Sequence, residues 1–171
     1  MKLISIIGAG RSASSLIAYL LERADKYDWQ LKVYDQDLEL AKSKISDHSK
    51  ASAHQIDIKN ESARIALIQA SDIVVSMLPA SMHVDVAKEC IRFKVPMVTA
   101  SYVSDEMRML HEEAKDVGVI LMNEIGVDPG IDHMSAMKMI DEARNSGATL
   151  KLFESFTGGL LAEESEKDNP W

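Results

Sequence analysis

A chain of 171 residues is long enough for one well-buried domain and the start of a second. With 46% hydrophobic and 27% charged residues it has the composition of a soluble globular protein, and a net charge of −8 argues against a polyanionic partner such as nucleic acid. No apolar run approaches the roughly 20 residues of a membrane span, no secretory signal is recognisable, and a single cysteine, Cys90, excludes an intrachain disulfide and a cysteine zinc site. The expectation is a cytoplasmic protein, in which Asn60-Glu61-Ser62 would never meet the glycosylation machinery whose acceptor pattern it matches.

Apolar runs and amphipathic stretches alternate from the first residue to about residue 122. Leu3–Ile7 reads as a buried strand closed by Gly8-Ala9-Gly10, and Ala13, Leu16, Ile17, Leu20, Leu21 and Ala24 then recur on one face of a helix. Leu31–Tyr34 is a second strand, followed by a helix showing Leu38, Ala41 and Ile45. A weaker strand near His54–Ile58 precedes a helix over Glu61–Ala70. Asp72–Leu78 is the strongest strand signal, closed by Pro79, and the helix after it buries Val86, Ala87, Cys90 and Ile91. Val95–Thr99 is strand five. Ser104 can cap one helix presenting Met107, Leu110, Ala114 and Val117, and Val119–Met122 is strand six. Asn123–Gly130 is rich in turn formers, Ile131–Arg144 is a further helix, and Ala148–Phe156 reads as a seventh strand. The tail Glu163–Trp171 is polar and acidic, so the natural chain is expected to continue.

Strands that are apolar throughout, separated by helices, predict an α/β fold with a parallel sheet covered on both faces. Six strands in this rhythm with a glycine-rich first turn predict a doubly wound sheet of the Rossmann, dinucleotide-binding type. Gly8-Ala9-Gly10-Arg11-Ser12-Ala13 matches G-x-G-x-x-A between a strand and a helix. Gly8 can take the tight turn, Gly10 lets a pyrophosphate approach the backbone, and Ala13 allows close packing of helix on strand. Arg11 and Ser12 open the helix, whose free N–H groups and positive dipole end suit phosphates. Asp35, ending strand two, can accept hydrogen bonds from ribose hydroxyls and would repel a 2′-phosphate by a few kcal/mol at about 4 Å. With no arginine in Tyr34-Asp35-Gln36-Asp37, NAD is expected in preference to NADP. Asp35 can also cap the next helix, and both uses can hold at once; Asp57 can lie near the adenine or be a solvated loop carboxylate.

From residue 101 the residues carry a more specific pattern. Ser101-Tyr102-Val103-Ser104, then Asn123-Glu124-Ile125-Gly126-Val127-Asp128-Pro129-Gly130-Ile131-Asp132-His133-Met134, resemble signature segments of the glutamate-forming saccharopine dehydrogenases. Leu78-Pro79 with His83, and the tail from Gly158-Gly159-Leu160 to Asp168-Asn169-Pro170, are similar to the family as well. The resemblance implies an NAD(P)-dependent oxidoreductase of lysine metabolism that interconverts saccharopine with glutamate and 2-aminoadipate 6-semialdehyde by hydride transfer at an imine. It implies a dinucleotide-binding domain over 1–125 and the beginning of a substrate domain over 126–171, the chain being a fragment with little turnover of its own. It implies amino acid substrates and suggests a homodimer. By position, Leu78, Ala100, Ser101, Val127, Asp128 and Pro129 correspond to the surroundings of the nicotinamide and its ribose, and Ser101, Tyr102 and Asp128 to substrate contacts.

Thr157 stands where many members have cysteine, and Leu161-Ala162-Glu163-Glu164 replaces P-A-P-E, so no thiol role carries over. His133 can move a proton or orient a carboxylate, though a first-turn helix histidine more often bonds locally; no general acid or base is assigned. His83 reads as a half-buried helix histidine, Met134 and Met137 as core, and Glu163, Glu164, Glu166 and Asp168 as a solvated acidic run. His111-Glu112-Glu113 lacks the second histidine of a zincin motif, so no metal is expected. Two other readings stay open: a related imine reductase such as carboxynorspermidine dehydrogenase, and a non-catalytic NAD-binding sensor or scaffold.

Overall fold

The computed structural model describes residues 1–156, and Thr157–Trp171 with its motifs lies outside them. The run Lys2–Ile7 forms β1 at the centre of a sheet, paired in parallel with β2 (Trp29–Asp35) on one side and β4 (Ile73–Ser76) on the other. β3 (Ala51–Gln55) flanks β2, while β5 (Met97–Thr99) and β6 (Leu121–Met122) extend the sheet beyond β4. The order is β3-β2-β1-β4-β5-β6, all parallel, which is the doubly wound arrangement with its reversal between β1 and β4.

Helices cover the sheet because each carries one apolar stripe. After a short 3-10 turn over Arg11–Ala13, α1 (Ser14–Tyr27) buries Ile17, Leu21 and Ala24 and ends at Asp28, which adopts the left-handed conformation. α2 (Leu38–Ile45) is capped by Asp37, whose side chain accepts from Leu40 N–H, and with α1 it packs on Ile4, Ile6, Leu31 and Val33. α3 (Glu61–Gln69), capped by Asn60, and α4 (His83–Phe93) belong to the second core cluster, with Ile7, Val74 and Met97. A fully buried side chain such as Ile17 or Ile91 contributes about 1.5–3 kcal/mol against leaving it exposed.

Three elements depart from expectation. β3 forms over Ala51–Gln55 rather than His54–Ile58. Ile56 and Ile58 are buried past the strand's end, with Ile56 N–H still reaching Asp35 O at 2.9 Å. Their apolarity belongs to the core beside α3, and it pulled the expected strand three residues downstream. The helix expected after Ser104 is two helices, α5 (Asp105–Met109) and α6 (His111–Val117), separated at Leu110. Ser104 caps α5 as expected, accepting from Met107 N–H at 3.1 Å. Ala148–Phe156 forms no strand, since no neighbouring strand among the described residues pairs with it.

The chain divides into two compact units, Met1–Met134 and Ser135–Trp171. The first holds the whole sheet. The last helix, α7 (Ile131–Asn145), runs through the division. Met134 and Met137, expected in a core, are 58% and 48% exposed, so helical spacing alone did not supply them with a packing surface. No helix among the described residues is long and apolar enough to cross a membrane.

Candidate functional site

The turn from β1 into α1 is set by backbone geometry. Gly8 has φ +103°, and a Cβ placed there would lie 2.7 Å from the carbonyl oxygen of Met77, at the end of β4. Its N–H donates to Tyr34 O at 2.7 Å, so the end of β2 is tied in as well. Gly10 differs: its backbone is ordinary (φ −61°, ψ −179°), and a Cβ there would meet nothing within 4 Å. Gly8 is required by the fold, while Gly10 keeps a surface open. Ala13 is buried in the contact between α1 and the sheet, and Arg11 and Ser12 are exposed at the turn. Among the described residues the Arg11 guanidinium has no hydrogen-bond or ion-pair partner.

Asp35 is held by the backbone at the end of β2. Its Oδ2 accepts from Ala9 N–H at 2.7 Å and its Oδ1 from Asp37 N–H at 3.0 Å. The carboxylate braces the glycine loop against the start of α2, and the cap of α2 is Asp37. Asp57, which was weighed as an adenine neighbour, is exposed and accepts from Lys59 N–H at 3.0 Å.

Two cavities flank the loop, both within the first unit. The smaller, about 290 Å³, is bounded by Gly8, Gly10, Asp35, Gln36, Ile56 and Leu78. The larger, about 830 Å³, lies between α1 and the strands β4 and β5, and reaches Ser12, Ala100, Gly126, Val127 and Asp128. Met77 lines both. A ligand long enough to span the loop would therefore meet the two residue groups that the sequence assigned separately, at the carboxyl ends of the strands on either side of the reversal.

The loop after β6 is folded tightly on itself. Gly126 N–H donates to Pro129 O at 2.8 Å and Ile131 N–H to Gly126 O at 3.0 Å, with Pro129 buried and Val127 and Asp128 displayed outward. Glu124 N–H donates to Ser101 O at 3.1 Å, and the Glu124 carboxylate accepts from Val103 N–H at 3.0 Å, so the loops after β5 and β6 are laced together. This places Tyr102 beside Asp128: the phenol donates to Asp128 Oδ1 at 2.9 Å. That hydrogen bond to a carboxylate raises the Tyr102 pKa and keeps the phenol protonated. His133 pairs with Asp132 at 2.8 Å, which raises its pKa, and Asp132 in turn accepts from Gly130 N–H. The bond to Asp132 is the local one that a first-turn helix histidine usually makes.

His83 is more deeply placed than its sequence indicated. It is 3% exposed, and its ring bonds Ser76 at the end of β4, and Ser101 and Thr99 at the end of β5. No local pattern announces this cluster, because its members come from three elements. The only signal was a histidine opening the helix after β4.

A doubly wound parallel sheet, with open space at Gly10 in its first glycine turn and cavities to either side, is the architecture of a dinucleotide-binding domain. A family model described as the saccharopine dehydrogenase NADP-binding domain matches residues 4–122, and one for the saccharopine dehydrogenase C-terminal domain matches residues 126–171. The chain belongs to the saccharopine dehydrogenase family. It is 43% identical over 136 residues to an alpha-aminoadipic semialdehyde synthase of Arabidopsis thaliana, covering 80% of this chain and 13% of that protein. It is 43% identical over 122 residues to the saccharopine dehydrogenase [NADP(+), L-glutamate-forming] of Saccharomyces cerevisiae, covering 71% and 27%. The solved structure of apo saccharopine dehydrogenase (L-Glu forming) from S. cerevisiae superposes with a TM-score of 0.77 at 34% identity, covering 86% of this chain and 32% of that one. The chain thus spans less than a third of the length of these relatives.

These findings overturn the expected preference for NAD over NADP: the matching family domain is NADP-binding, and the yeast relative is named for NADP(+). The expectation failed because it treated Asp35 as a free carboxylate. Both its oxygens accept backbone N–H groups, which partly compensate its charge and turn it toward the loop.

Proposed function

We propose that this chain binds NADP across the Gly8–Gly10 loop and serves an enzyme that oxidises saccharopine to glutamate and 2-aminoadipate 6-semialdehyde, or runs the reverse reduction. The observation that carries the reading is the pair of cavities sharing Met77 on either side of the loop, with the Tyr102–Asp128 pair beside the larger. The adenosine half fits the cavity at Asp35, Gln36 and Ile56, and the nicotinamide half fits the wall of Ala100, Val127 and Asp128. Bound there, NADP supplies the hydride acceptor for oxidation of the secondary amine.

The protein's own groups bind and orient. Tyr102 holds Asp128 Oδ1, and Asp128 Oδ2 has no partner among the described residues, so it is free to take a hydrogen bond from the substrate's ammonium nitrogen. Holding that nitrogen in one direction presents its neighbouring carbon to the cofactor, and such alignment can be worth roughly 7–11 kcal/mol of a barrier. Val127 and Ile131 line the larger cavity as apolar surface beside Asp128, which limits water around the transferred hydride.

NADP also needs a cation for its 2′-phosphate. Arg11, exposed and unpaired next to Gly10, is the cation that the fingerprint itself carries, and a guanidinium suits phosphate geometry. Replacing it (Arg11→Ala) is expected to weaken NADPH binding about tenfold, the scale of one charge-assisted hydrogen bond. NADH binding should change much less. Titration with both cofactors, read by quenching of tryptophan fluorescence, checks this, and equal losses for the two would remove Arg11 from the 2′-phosphate.

The function itself is tested by joining this chain to the remaining length of its yeast relative and following NADPH absorbance with saccharopine and NADP+, against a panel of other secondary-amine amino acids. Saccharopine-dependent reduction that falls at least tenfold in Asp128→Asn is expected. A folded chain that binds neither NADPH nor NADH would sink the cofactor reading. Hydride transfer from a different amine alone would sink the substrate.

A further inference from the structure

The buried polar cluster around His83 has a direction. Ser76 is fully buried, and among the described residues its hydroxyl has one hydrogen-bond partner, His83 Nδ1, at 2.8 Å. A hydroxyl in that position carries a proton that must find an acceptor, because a buried donor left without one is costly. Among the described residues the one acceptor that Ser76 Oγ meets is Nδ1, and a hydroxyl donating to Nδ1 leaves that nitrogen without a proton. A neutral imidazole has one N–H, and it then resides on Nε2. Burial lowers the His83 pKa, which agrees with a neutral ring. Nε2 faces Ser101 Oγ at 2.8 Å and, more distantly, Thr99 Oγ1 at 3.3 Å. Thr99 Oγ1 is also the acceptor of Ser101 N–H at 3.3 Å, so Ser101 is fixed through both its backbone and its side chain.

With Nε2–H donating to Ser101 Oγ, the Ser101 proton is turned away from the histidine. We infer that His83 is a positioning residue that presents the half-buried Ser101 hydroxyl as a hydrogen-bond donor to an acceptor oxygen of the bound ligand, a carboxamide or carboxylate oxygen. With the opposite tautomer Ser101 would offer only lone pairs, and the site would select a ligand donor instead. The helix start at His83 thus sets the polarity of a residue on the neighbouring loop, through a ring that touches neither cofactor nor substrate. The inference rests on the proposed reading of the cavity beside Ala100 as the ligand site.

The first test needs no ligand. Nitrogen NMR of the imidazole in the intact chain is expected to show a protonated Nε2 and an unprotonated Nδ1 for His83, and the reverse assignment overturns the inference. The second is a cycle of Ser101→Ala, His83→Leu and the double variant, titrated with NADPH, then with saccharopine in the presence of NADPH. Ser101→Ala is expected to weaken one of the two ligands about three- to tenfold, the scale of one hydrogen bond. Loss with NADPH places the acceptor on the carboxamide, and loss with saccharopine alone places it on the substrate carboxylate. His83→Leu should cause a similar loss that disappears in the Ser101→Ala background, and His83→Gln, which keeps a donor at the Nε2 position, should restore most of it. Additive losses, or no effect of Ser101→Ala on either ligand, overturn the inference while leaving the cofactor reading intact. Absence of NADPH binding by the unaltered, folded chain overturns both. If His83→Leu fails to fold, Ser101→Ala, His83→Gln and the NMR assignment still decide.

Discussion

Gly10→Asp should fold like the unaltered chain and lose NADPH binding by at least a hundredfold. The backbone at Gly10 is one that any residue adopts, and an added Cβ meets nothing within 4 Å, so the folded state has no reason to suffer. A surface change of this kind stays within about 0.5 kcal/mol of the original stability. The ligand meets a different situation. A pyrophosphate resting on the loop would face a carboxylate at about 4 Å, where each pair of like charges costs roughly 4 kcal/mol at an effective dielectric near 20. Solvent reduces this at an exposed turn, and a hundredfold loss remains a conservative expectation. Thermal denaturation and an NADPH titration of the same preparation measure both halves. Retained tight binding would show that the phosphates do not lie on this loop.

Gly8→Ala should do the opposite, costing stability first. Its φ of +103° is one that side chains rarely adopt, and the new Cβ would sit 2.7 Å from Met77 O, a backbone atom that cannot swing aside. Strain in sparsely populated backbone regions costs about 1–3 kcal/mol, and overpacking a comparable amount, giving an expected loss of roughly 2–5 kcal/mol. For a chain of this size that lowers the melting midpoint by about 5–15 °C. Met77 N–H donates to Ile7 O at 2.8 Å, so moving Met77 aside disturbs the junction of β1 and β4 at which both cavities meet. NADPH binding should fall along with stability. An unshifted melting midpoint would mean that the turn relaxes without cost, contrary to the contact at Met77. The two glycines of one fingerprint are thereby separable, one by calorimetry and the other by ligand binding.

Much of the architecture could be read in advance because its causes are local. The apolar run Asp72–Leu78, the stripe Ile17, Leu21 and Ala24, and the cap at Ser104 each act within a few residues of themselves. The errors have non-local causes. Ile56 and Ile58 drew the expected third strand downstream, although the pairing that makes a strand is with Leu31–Asp35, far away in sequence. Ala148–Phe156 has strand-like composition and no neighbour among the described residues to pair with.

The candidate site divides in the same way. Its residue types and their place at strand ends were visible in G-x-G-x-x-A and in the segment around Asp128, because a phosphate turn is built from consecutive residues. What each polar group does with its hydrogen bonds was not visible. Asp35 reads from the sequence as a ribose acceptor or a helix cap; Asp37 is the cap, and only the approach of the Ala9 and Asp37 N–H groups shows that Asp35 also braces the loop. Tyr102 and Asp128 were named singly and become a pair through the lacing of two loops at Glu124. His83 was read as half-buried, and its cluster exists because parallel neighbours β4 and β5 end side by side beneath the first turn of α4. The amino-acid sequence by itself determined the fold class and the position of the phosphate turn, since hydrophobic periodicity and glycine stereochemistry act over a few residues. Only the tertiary structure decided which donors meet which acceptors, because a hydrogen bond depends on distances of about 3 Å between groups such as Ala9 and Asp35, or Tyr102 and Asp128, each pair 26 residues apart along the chain.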